Sequence, residues 1–406
     1  MARSLEVPNL RHLRMVQTIG NLGGVNGAAR ALNTSQPAVT QAVRNLEVEL
    51  GTPLFERHAS GSFPTELGKR YLHRVDRFFE ILDDAVARLA ASHLSGFEAT
   101  SLQADRLITN TQLRSFVVTC ETGRVHHIAE TLGLTVASLL RSARSLERVL
   151  GTPLFDRAAN GLTPNKAGIL LAREFGKAIR EIELARDEIL HSTGLAGLEI
   201  FVGIPPLPGV HSLANATNIF ASAHAKVRVT FVSGEYMNLL ADLRSGHLDM
   251  MYGVLRLPSW VDDLQEEAIY DDEYCIVVRP QHPLLLKGEV AAEDLAAYPW
   301  LAPPTGTPRR TRIEAIFETC ASPPPLNLET TSLSLCKSFL FNSNAITLLP
   351  ISEVESEIHN EFLSAIPITL FEEAQPKGIT TRMGWLPAEA HLAFIECLRQ
   401  AAGSNP

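Results

Sequence analysis

Side chains that could hydrogen-bond to nucleic acid bases are concentrated between residues 35 and 44. An amide can pair with the edge of adenine, an arginine can bind guanine or phosphate, and alanine and threonine methyl groups can contact the thymine methyl. One short helix could present all of these groups to a major groove. The candidate DNA-contacting residues in this stretch are Ser35, Gln36, Pro37, Ala38, Thr40, Gln41 and Arg44.

A helix-turn-helix pattern would position these side chains. Helical apolar periodicity over residues 28–32 breaks at residues 33–35 and resumes from Gln36. Ser35 is a favourable N-cap, and Pro37 falls in the first turn, where its missing N–H leaves no hydrogen bond unmade. We therefore predict a recognition helix that begins near Gln36.

A two-stranded wing is predicted after the recognition helix. A turn at Gly61 follows Phe55, as a hairpin would require. Arg57 precedes the turn and is expected to lie against the DNA backbone beside the wing. The residues of the recognition helix that recur at helical spacing and should face the core are Val39, Val43, Leu46 and Leu50.

The same framework recurs 100 positions later with different residues at the reading positions. Val136 replaces Gln36, so the amide that could read a base edge is absent and direct readout is weakened. Arg141 and Arg144 can still reach phosphates. Three interpretations stay open: the second copy reads bases weakly, contacts only the DNA backbone, or is a scaffold that positions the first copy. Repeated framework residues include Gly123, Val125, Ala129, Leu132, Leu146, Glu147, Leu154, Phe155 and Gly168.

The first copy resembles the N-terminal signature of LysR-type transcriptional regulators. The resemblance is carried by residues 35–40, the Leu46-Glu47 pair and residues 50–57. It covers residues 10–95, recurs over residues 111–192 and extends through the C-terminal part. The family usually carries one such module per chain, so the duplication is a departure that affects the expected stoichiometry on DNA.

The resemblance and the sequence pattern together predict an α/β protein. We expect two mainly helical winged helix-turn-helix modules with long linker helices, followed by a two-lobed α/β domain of periplasmic-binding-protein type. The predicted domains are residues 1–97, residues 98–197 and residues 198–406, with a second lobe at about 275–365. Residues 91–101 are small and polar and are interpreted as a connection between the modules.

Each module is followed by a helical segment with an apolar seam spaced by three and four residues. The resemblance implies that such linker helices pair between two subunits of a homodimer. The duplication also allows the two seams to pair within one chain, and periodicity alone does not exclude ordinary core packing. The seams are Leu72, Val75, Phe79, Leu82, Val86 and Leu89 in the first helix, and Leu171, Phe175, Ala178, Ile182, Ala185 and Ile189 in the second.

From Leu198 onward the pattern alternates strands and helices, which predicts parallel sheet and two α/β lobes with a cleft between them. Hydroxyl groups and helix N-termini at the predicted cleft would suit an anionic ligand, and we expect a small organic acid, aromatic or not. Arg309 and Arg310 could bind its carboxylate, or they could be a surface pair at a helix start. The candidate effector-binding residues are Pro205, Pro206, Leu207, Tyr252, Gly253, Thr305, Thr307, Thr331 and Ser332.

The negative charge of the chain lies in its C-terminal half. The net charge is −9, but residues 1–97 carry 11 Lys and Arg against 9 Asp and Glu, residues 98–192 carry 12 against 11, and residues 193–406 carry 13 against 25. Neither module is strongly basic. DNA affinity should therefore depend on individually placed arginines and on dimerisation rather than on a broad positive field.

Catalytic and metal-binding motifs are not found in the sequence. It contains no nucleophile elbow, phosphate-binding loop or metal-ligand spacing, so we expect neither an enzyme nor a cofactor. The five cysteines are scattered, as is typical of a reducing cytosol, although Cys320 and Cys336 could form a redox pair. No signal sequence or membrane span is recognised, which predicts a cytoplasmic protein without membrane contact.

The predicted function is a transcriptional regulator that binds double-stranded DNA and responds to a small-molecule effector bound between the lobes. We expect a homodimer or homotetramer. The alternative is a ligand-binding adaptor or assembly protein that has lost specific DNA binding and keeps both helix-turn-helix frameworks for assembly. The intact reading residues from Ser35 to Thr40 favour the regulator.

Overall fold

The computed structural model describes residues 7–58, 61–93, 104–120, 135–158, 161–256, 262–368 and 374–403. Two compact units make up the chain. The first comprises Met1–Glu199 with Lys226–Arg228 and Ala241–Leu248, and the second comprises Ile200–Ala225, Val229–Leu240 and Asp249–Pro406.

The first module is a winged helix-turn-helix. Asn9 caps its first helix by accepting hydrogen bonds from the N–H groups of Arg11 and His12, and Gly23 ends that helix at φ 71°. Glycine suits this left-handed position because it lacks a Cβ. The elements are α1 (Leu10–Leu22), α2 (Val25–Ala31), α3 (Gln36–Leu50), β1 (Phe55–His58), β2 (Gly61–Pro64) and the long α4 (Glu66–His93).

The second module repeats the later elements of the first. Residues 121–134 are outside the described residues, and with them the framework positions Gly123, Val125, Ala129 and Leu132. Residues 94–101 of the predicted connection are also outside them. The described elements are α5 (Ala104–Leu107), α6 (Asn110–Cys120), α7 (Val136–Leu150), β3 (Phe155–Ala158), β4 (Gly161–Pro164) and the long α8 (Lys166–Ser192).

The two long helices α4 and α8 pack against each other in antiparallel orientation within the chain. Phe79 of α4 and Phe175 of α8 are fully buried and belong to one continuous apolar core. Of the arrangements that the seams allowed, the structure shows pairing inside one chain.

A five-stranded sheet forms the first lobe of the C-terminal part. Its strand order is β6-β5-β7-β14-β8, with β5 parallel to β7 and β14 antiparallel to both of its neighbours. The elements are β5 (Leu198–Ile204), α9 (Val210–Ala223), β6 (Val227–Ser233), α10 (Tyr236–Arg244), β7 (Met250–Val254), β8 (Leu264–Asp272), β14 (Gln375–Arg382) and α15 (Glu389–Gly403).

The second lobe contains a three-stranded antiparallel sheet in the order β12-β9-β13 and a parallel pair of β10 and β11. A bridge between Trp300 and Ile346 joins the two sheets. The elements are β9 (Tyr274–Val278), α11 (Ala292–Ala296), β10 (Trp300–Ala302), α12 (Pro308–Thr319), β11 (Leu326–Glu329), α13 (Leu333–Phe341), β12 (Thr347–Pro350), α14 (Glu355–His359) and β13 (Ser364–Pro367).

The predicted α/β fold class is confirmed, but four strands were not anticipated. β8 carries two adjacent glutamates, Glu266 and Glu267, and ends in two aspartates, which are unfavourable in strands. It forms nevertheless because β14 pairs with it along nearly its whole length. β10, β11 and β13 are only three or four residues long, too short to show a strand period.

Candidate DNA-binding helices and effector cleft

The recognition helix α3 begins at Gln36, as predicted. The Ser35 hydroxyl accepts a hydrogen bond from the N–H of Ala38 at 3.4 Å, and Pro37 occupies the first turn. Val39, Val43, Leu46 and Leu50 are buried, as the helical spacing indicated. The predicted reading residues lie on the other side of the helix: Ser35, Gln36, Pro37, Ala38, Gln41 and Arg44 are exposed, and Thr40 is half-buried.

One reading side chain has a local partner. The Gln41 amide nitrogen donates to the Asn45 side-chain oxygen at 2.7 Å. Both side chains are on the exposed face of the helix. Asn45 is therefore a third amide on the reading face, beside Gln36 and Gln41, and the sequence analysis did not single it out.

Glu47 holds the recognition helix to the wing. Its carboxylate accepts hydrogen bonds from the backbone N–H groups of Leu54 at 2.8 Å and Phe55 at 3.2 Å. Glu147 makes the same two contacts in the second module, to Leu154 at 2.7 Å and Phe155 at 3.2 Å. These bonds explain why the glutamate recurs in both copies. The sequence analysis had identified it only as a repeated framework residue.

A glycine at the start of each long helix allows a close backbone contact. A Cβ added to Gly68 would lie 2.0 Å from the carbonyl oxygen of Leu54, and one added to Gly168 would lie 2.2 Å from that of Leu154. Both distances are shorter than any real contact. The wing and the long helix can therefore approach in this way only with glycine at this position.

The wing of the first module is a short antiparallel hairpin in which Arg57 pairs with Ser62. The hairpin also contacts the helix-turn-helix, since the Ser62 N–H donates to the Gly23 carbonyl oxygen at 3.1 Å. The side chain of Arg57 is outside the described part of the structure, so its predicted contact with the DNA backbone stays a prediction.

The helix α7 occupies the recognition position of the second module. Thr135 caps it by accepting from the N–H of Ser138 at 3.2 Å. Val136, which replaces the first amide, is half-buried and packs against the core. Arg141, Arg144 and Arg148 are exposed and lie on one face at helical spacing. The equivalent positions of α3 carry Gln41, Arg44 and Val48, so the face of α7 keeps one cation and has two more. Arg148 is a cation that the sequence analysis had not singled out.

A cavity of about 100 Å³ lies between the two lobes of the second unit. Apolar and aromatic groups form most of its wall, and the charged groups on it are Arg256, Arg309 and Glu235. Arg256 stacks on Tyr236, with its guanidinium carbon 3.6 Å from the ring centroid. The remaining lining residues are Pro205, Pro206, Leu207, Val254, Tyr274, Pro303, Thr307, Pro308, Thr331 and Leu333.

Five of the nine candidate effector residues line this cavity: Pro205, Pro206, Leu207, Thr307 and Thr331. The other four have different positions. Tyr252 is fully buried in the core, Thr305 is exposed on the loop before α12, and Ser332 caps α13. Gly253 lies behind the wall, where an added Cβ would come within 2.9 Å of Pro205. Strand ends and helix starts locate a cleft, but they do not tell which neighbouring residue faces it.

Leu207 has a strained backbone at the cavity wall, with φ 63° in a region that leucine rarely adopts. Such strain persists only where surrounding contacts enforce it, and it is concentrated at ligand sites. The position therefore supports the location of the ligand site.

The adjacent residues Arg309 and Arg310 have different environments. Arg310 donates to Glu314 at 2.7 Å, to the carbonyl oxygen of Pro303 at 3.2 Å and to Glu329, and its hydrogen bond to Glu329 raises its pKa. Arg309 lines the cavity and is 9% exposed, yet its Nη1 has no hydrogen-bond partner among the described residues. Burial lowers the pKa of Arg309, with Cys336 and Tyr274 opposing the effect.

A buried lysine joins the two lobes behind the cavity. The Lys377 ammonium lies 2.5 Å from Asp272 and 3.2 Å from Glu353, and it donates to the Ser352 hydroxyl at 2.9 Å. Glu353 also accepts from the N–H of Gly209 at 2.6 Å. Burial opposes the charge, but Glu353 and Asp272 outweigh it and raise the pKa of Lys377.

Among the residues that the structure describes, no helix is long and apolar enough to cross a membrane. No group of three or more His, Cys, Asp or Glu side chains in the described ranges is arranged to hold a metal ion.

An exposed recognition helix and a two-lobed domain with a cavity between its lobes define a ligand-responsive DNA-binding regulator. Family comparisons give the same class. The model for the LysR substrate-binding domain matches residues 194–403, and the model for the LysR family of bacterial regulatory helix-turn-helix proteins matches residues 10–69 and 110–169. The chain belongs to the LysR family of transcriptional regulators.

Two relatives agree with this assignment. The chain is 29% identical to the HTH-type transcriptional regulator GalR of Pseudomonas putida over 402 residues, which cover 98% of both chains. It is 28% identical to PcaQ of Agrobacterium fabrum over 300 residues, 74% of this chain and 96% of that one.

Its fold resembles a full-length OxyR variant of Pseudomonas aeruginosa, with TM-score 0.56 and 17% identity over 72% of this chain and 94% of that one. ArgP of Mycobacterium tuberculosis matches with TM-score 0.55 and 17% identity over 72% of this chain and 97% of that one.

The protein is therefore a transcriptional regulator rather than an enzyme, as predicted. It combines DNA-binding helix-turn-helix modules with an effector-binding domain. Regulators of this family bind DNA and small-molecule effectors and form oligomers.

Proposed function

We propose that the two modules divide the work on DNA, with α3 reading bases and α7 holding the backbone. The exposed face of α3 carries amides and Arg44, which can distinguish base edges in the major groove. The exposed face of α7 carries Arg141, Arg144 and Arg148, which suit phosphates. An arginine is kept at positions 44 and 144, but Gln36 corresponds to Val136 and Gln41 to Arg141. This loss of amides and gain of a cation at equivalent positions of one repeat carries the proposal.

The salt dependence of DNA binding tests the role of α7. Removing a phosphate contact lowers affinity on every sequence alike and reduces the slope of log affinity against log salt by about 1 per contact. Arg144→Ala is expected to do both. Arg228→Ala, which removes an exposed arginine of β6 outside both modules, is the matched control. An unchanged slope with Arg144→Ala would leave α7 as a scaffold.

The proposed effector is a small organic acid with an apolar or aromatic body. Its carboxylate would bind Arg309, whose buried Nη1 has no hydrogen-bond partner in the described ranges. Its body would lie against Pro205, Leu207 and Tyr236. A buried cation with an unused donor favours an anion, because a charge-assisted hydrogen bond relieves its desolvation.

Calorimetry of the full chain with a panel of small acids, and with the amide of each acid, tests the effector class. We expect an acid to bind and its amide to bind less. Arg309→Met should weaken binding of the acid by about 2 kcal/mol, roughly 30-fold, and should leave binding of the amide nearly unchanged. Arg228→Met controls for loss of charge away from the cavity. Equal binding of acid and amide, or binding of no acid, would contradict an anionic effector.

We also propose that the chain assembles as a homodimer or homotetramer. The family forms oligomers, which supports assembly. Because the apolar seams of α4 and α8 are already buried within one chain, other surfaces would join the subunits. Light scattering after size-exclusion chromatography measures the subunit number, and a monomer at every concentration would contradict the proposal.

A further inference from the structure

The two long helices carry opposite charges at equivalent positions of the repeat. Arg74 of α4 lies 2.7 Å from Glu188 of α8, and Arg88 of α4 lies 3.2 Å from Glu174 of α8. Position 74 corresponds to 174, and position 88 corresponds to 188. The same contact therefore occurs twice across a pseudo-two-fold axis, with both cations on α4 and both anions on α8.

This arrangement disfavours pairing of either helix with its own copy. In the same antiparallel geometry, two α4 helices would place Arg74 opposite Arg88 of the other copy. Two α8 helices would place Glu174 opposite Glu188. Like charges at such flanking positions exclude a partner, while opposite charges select one.

Burial makes the selection stronger at Arg74. Arg74 is 2% exposed and also contacts Glu181, 6% exposed, at 2.7 Å. The residue of α4 equivalent to Glu181 is Ile81. A second α4 would therefore offer Arg74 neither carboxylate, and an unpaired buried charge is strongly unfavourable.

The chain between the modules returns to the first one. The N–H of Ala104 donates to the Asp83 carboxylate on α4 at 2.7 Å, and the Asn110 amide donates to the carbonyl oxygen of Val7 at 3.2 Å. Ala104 and Ile108 are buried in the core that they share with the first module. The second module thus starts from a point fixed on the first, which favours pairing inside one chain over exchange between chains.

We infer that α4 and α8 of the same chain are obligate partners, so that a single chain is a complete two-module DNA-binding unit. In the family, the corresponding linker helices pair two subunits, each of which contributes one module. The two modules of this unit have different recognition faces. On the proposed function, the unit should therefore bind an asymmetric DNA site, in which α3 reads the bases of one half and α7 contacts the backbone of the other.

Chemical cross-linking of the full chain tests this inference. Arg88→Cys and Glu174→Cys are combined, because this ion pair is more exposed than that of Arg74 and its loss should be tolerated. A short bismaleimide is added over a range of protein concentrations, and products are separated under denaturing conditions and identified by intact mass. The chain without substitutions controls for its five native cysteines, and each single variant controls for unpaired thiols.

The expected product is a single chain that carries one bridging linker between positions 88 and 174, in a yield that does not change with protein concentration. A covalent dimer as the main product, bridged between the same positions, would show exchange of helices between chains and overturn the inference. A folded variant in which each thiol is alkylated separately and no bridge forms would overturn it as well.

Discussion

The carboxylate of Glu47 lies 2.8 Å from the backbone nitrogen of Leu54 and accepts its hydrogen bond. A second bond from Phe55 makes this one side chain the acceptor for two consecutive N–H groups at the entry of the wing. The orientation of the recognition helix relative to the wing therefore depends on a residue that does not face DNA.

Glu47→Leu should destabilise the chain by about 1–3 kcal/mol, because it leaves two half-buried N–H groups without an acceptor. Glu47→Gln keeps an acceptor oxygen and should cost less. Glu49→Leu changes an exposed glutamate of the same helix and should stay within about 0.5 kcal/mol. Chemical denaturation measures all three, and equal effects of Glu47→Leu and Glu49→Leu would refute the role of Glu47.

Arg74→Met should destabilise the first unit by about 3–5 kcal/mol, since Glu181 and Glu188 would be left buried without their cation. Arg77→Met removes a neighbouring arginine whose partner, Glu80, is exposed, and should cost at most about 1 kcal/mol. Denaturation curves compare the two variants. A loss for Arg74→Met as small as that for Arg77→Met would mean that the buried ion pair does not stabilise the helix pair.

Lys377→Met should destabilise the second unit by about 3–5 kcal/mol at neutral pH, because Asp272 and Glu353 lose their buried counter-ion. The folded pKa of Lys377 is raised, so its contribution is complete below the ordinary lysine pKa of roughly 10.4 and is lost as pH rises through the higher folded value. The difference between the parent and variant chains should be constant up to mildly alkaline pH and shrink above it. A difference that instead vanished between pH 5 and 8 would contradict this assignment.

Cys320 and Cys336 should react slowly with thiol reagents in the folded chain. Burial raises the pKa of both thiols, although Arg309 opposes the effect at Cys336, and it raises that of Cys275 to about 12. Since the thiolate is the reactive form, a redox pair is not favoured. Mass spectrometry after timed alkylation, with and without prior mild peroxide, measures this. Rapid formation of a bridge between Cys320 and Cys336 would restore the redox hypothesis.

Helix caps and apolar periodicity predict the local structure of this chain well. The start of α3 at Gln36 follows from Ser35 and Pro37, and the bounds of α13 and β9 agree with their apolar periods. The signals that predict these elements come from residues close together in the sequence. The alternating pattern after Leu198 predicted the two α/β lobes, and the resemblance to the family added the periplasmic-binding-protein type.

Relationships between distant residues could not be predicted in the same way. The seams of α4 and α8 show that each helix needs a partner, but only the contacts of Arg74 and Arg88 show which one. Arg309 and Arg310 are adjacent on α12, and the carboxylate of Glu329 on strand β11 decides which of them stays available to a ligand. Such choices depend on tertiary contacts that periodicity does not contain.

The division of work between α3 and α7 is tested most directly by binding of the purified chain to DNA upstream of its own gene and to unrelated DNA of equal length. Gln36→Ala is expected to weaken binding to the specific DNA by about 1–3 kcal/mol and to leave binding to unrelated DNA nearly unchanged. Arg141→Ala combined with Arg144→Ala should weaken both alike. Equal losses on the two DNAs with Gln36→Ala, or a loss of specificity with the arginine variant, would contradict reading by the first module alone.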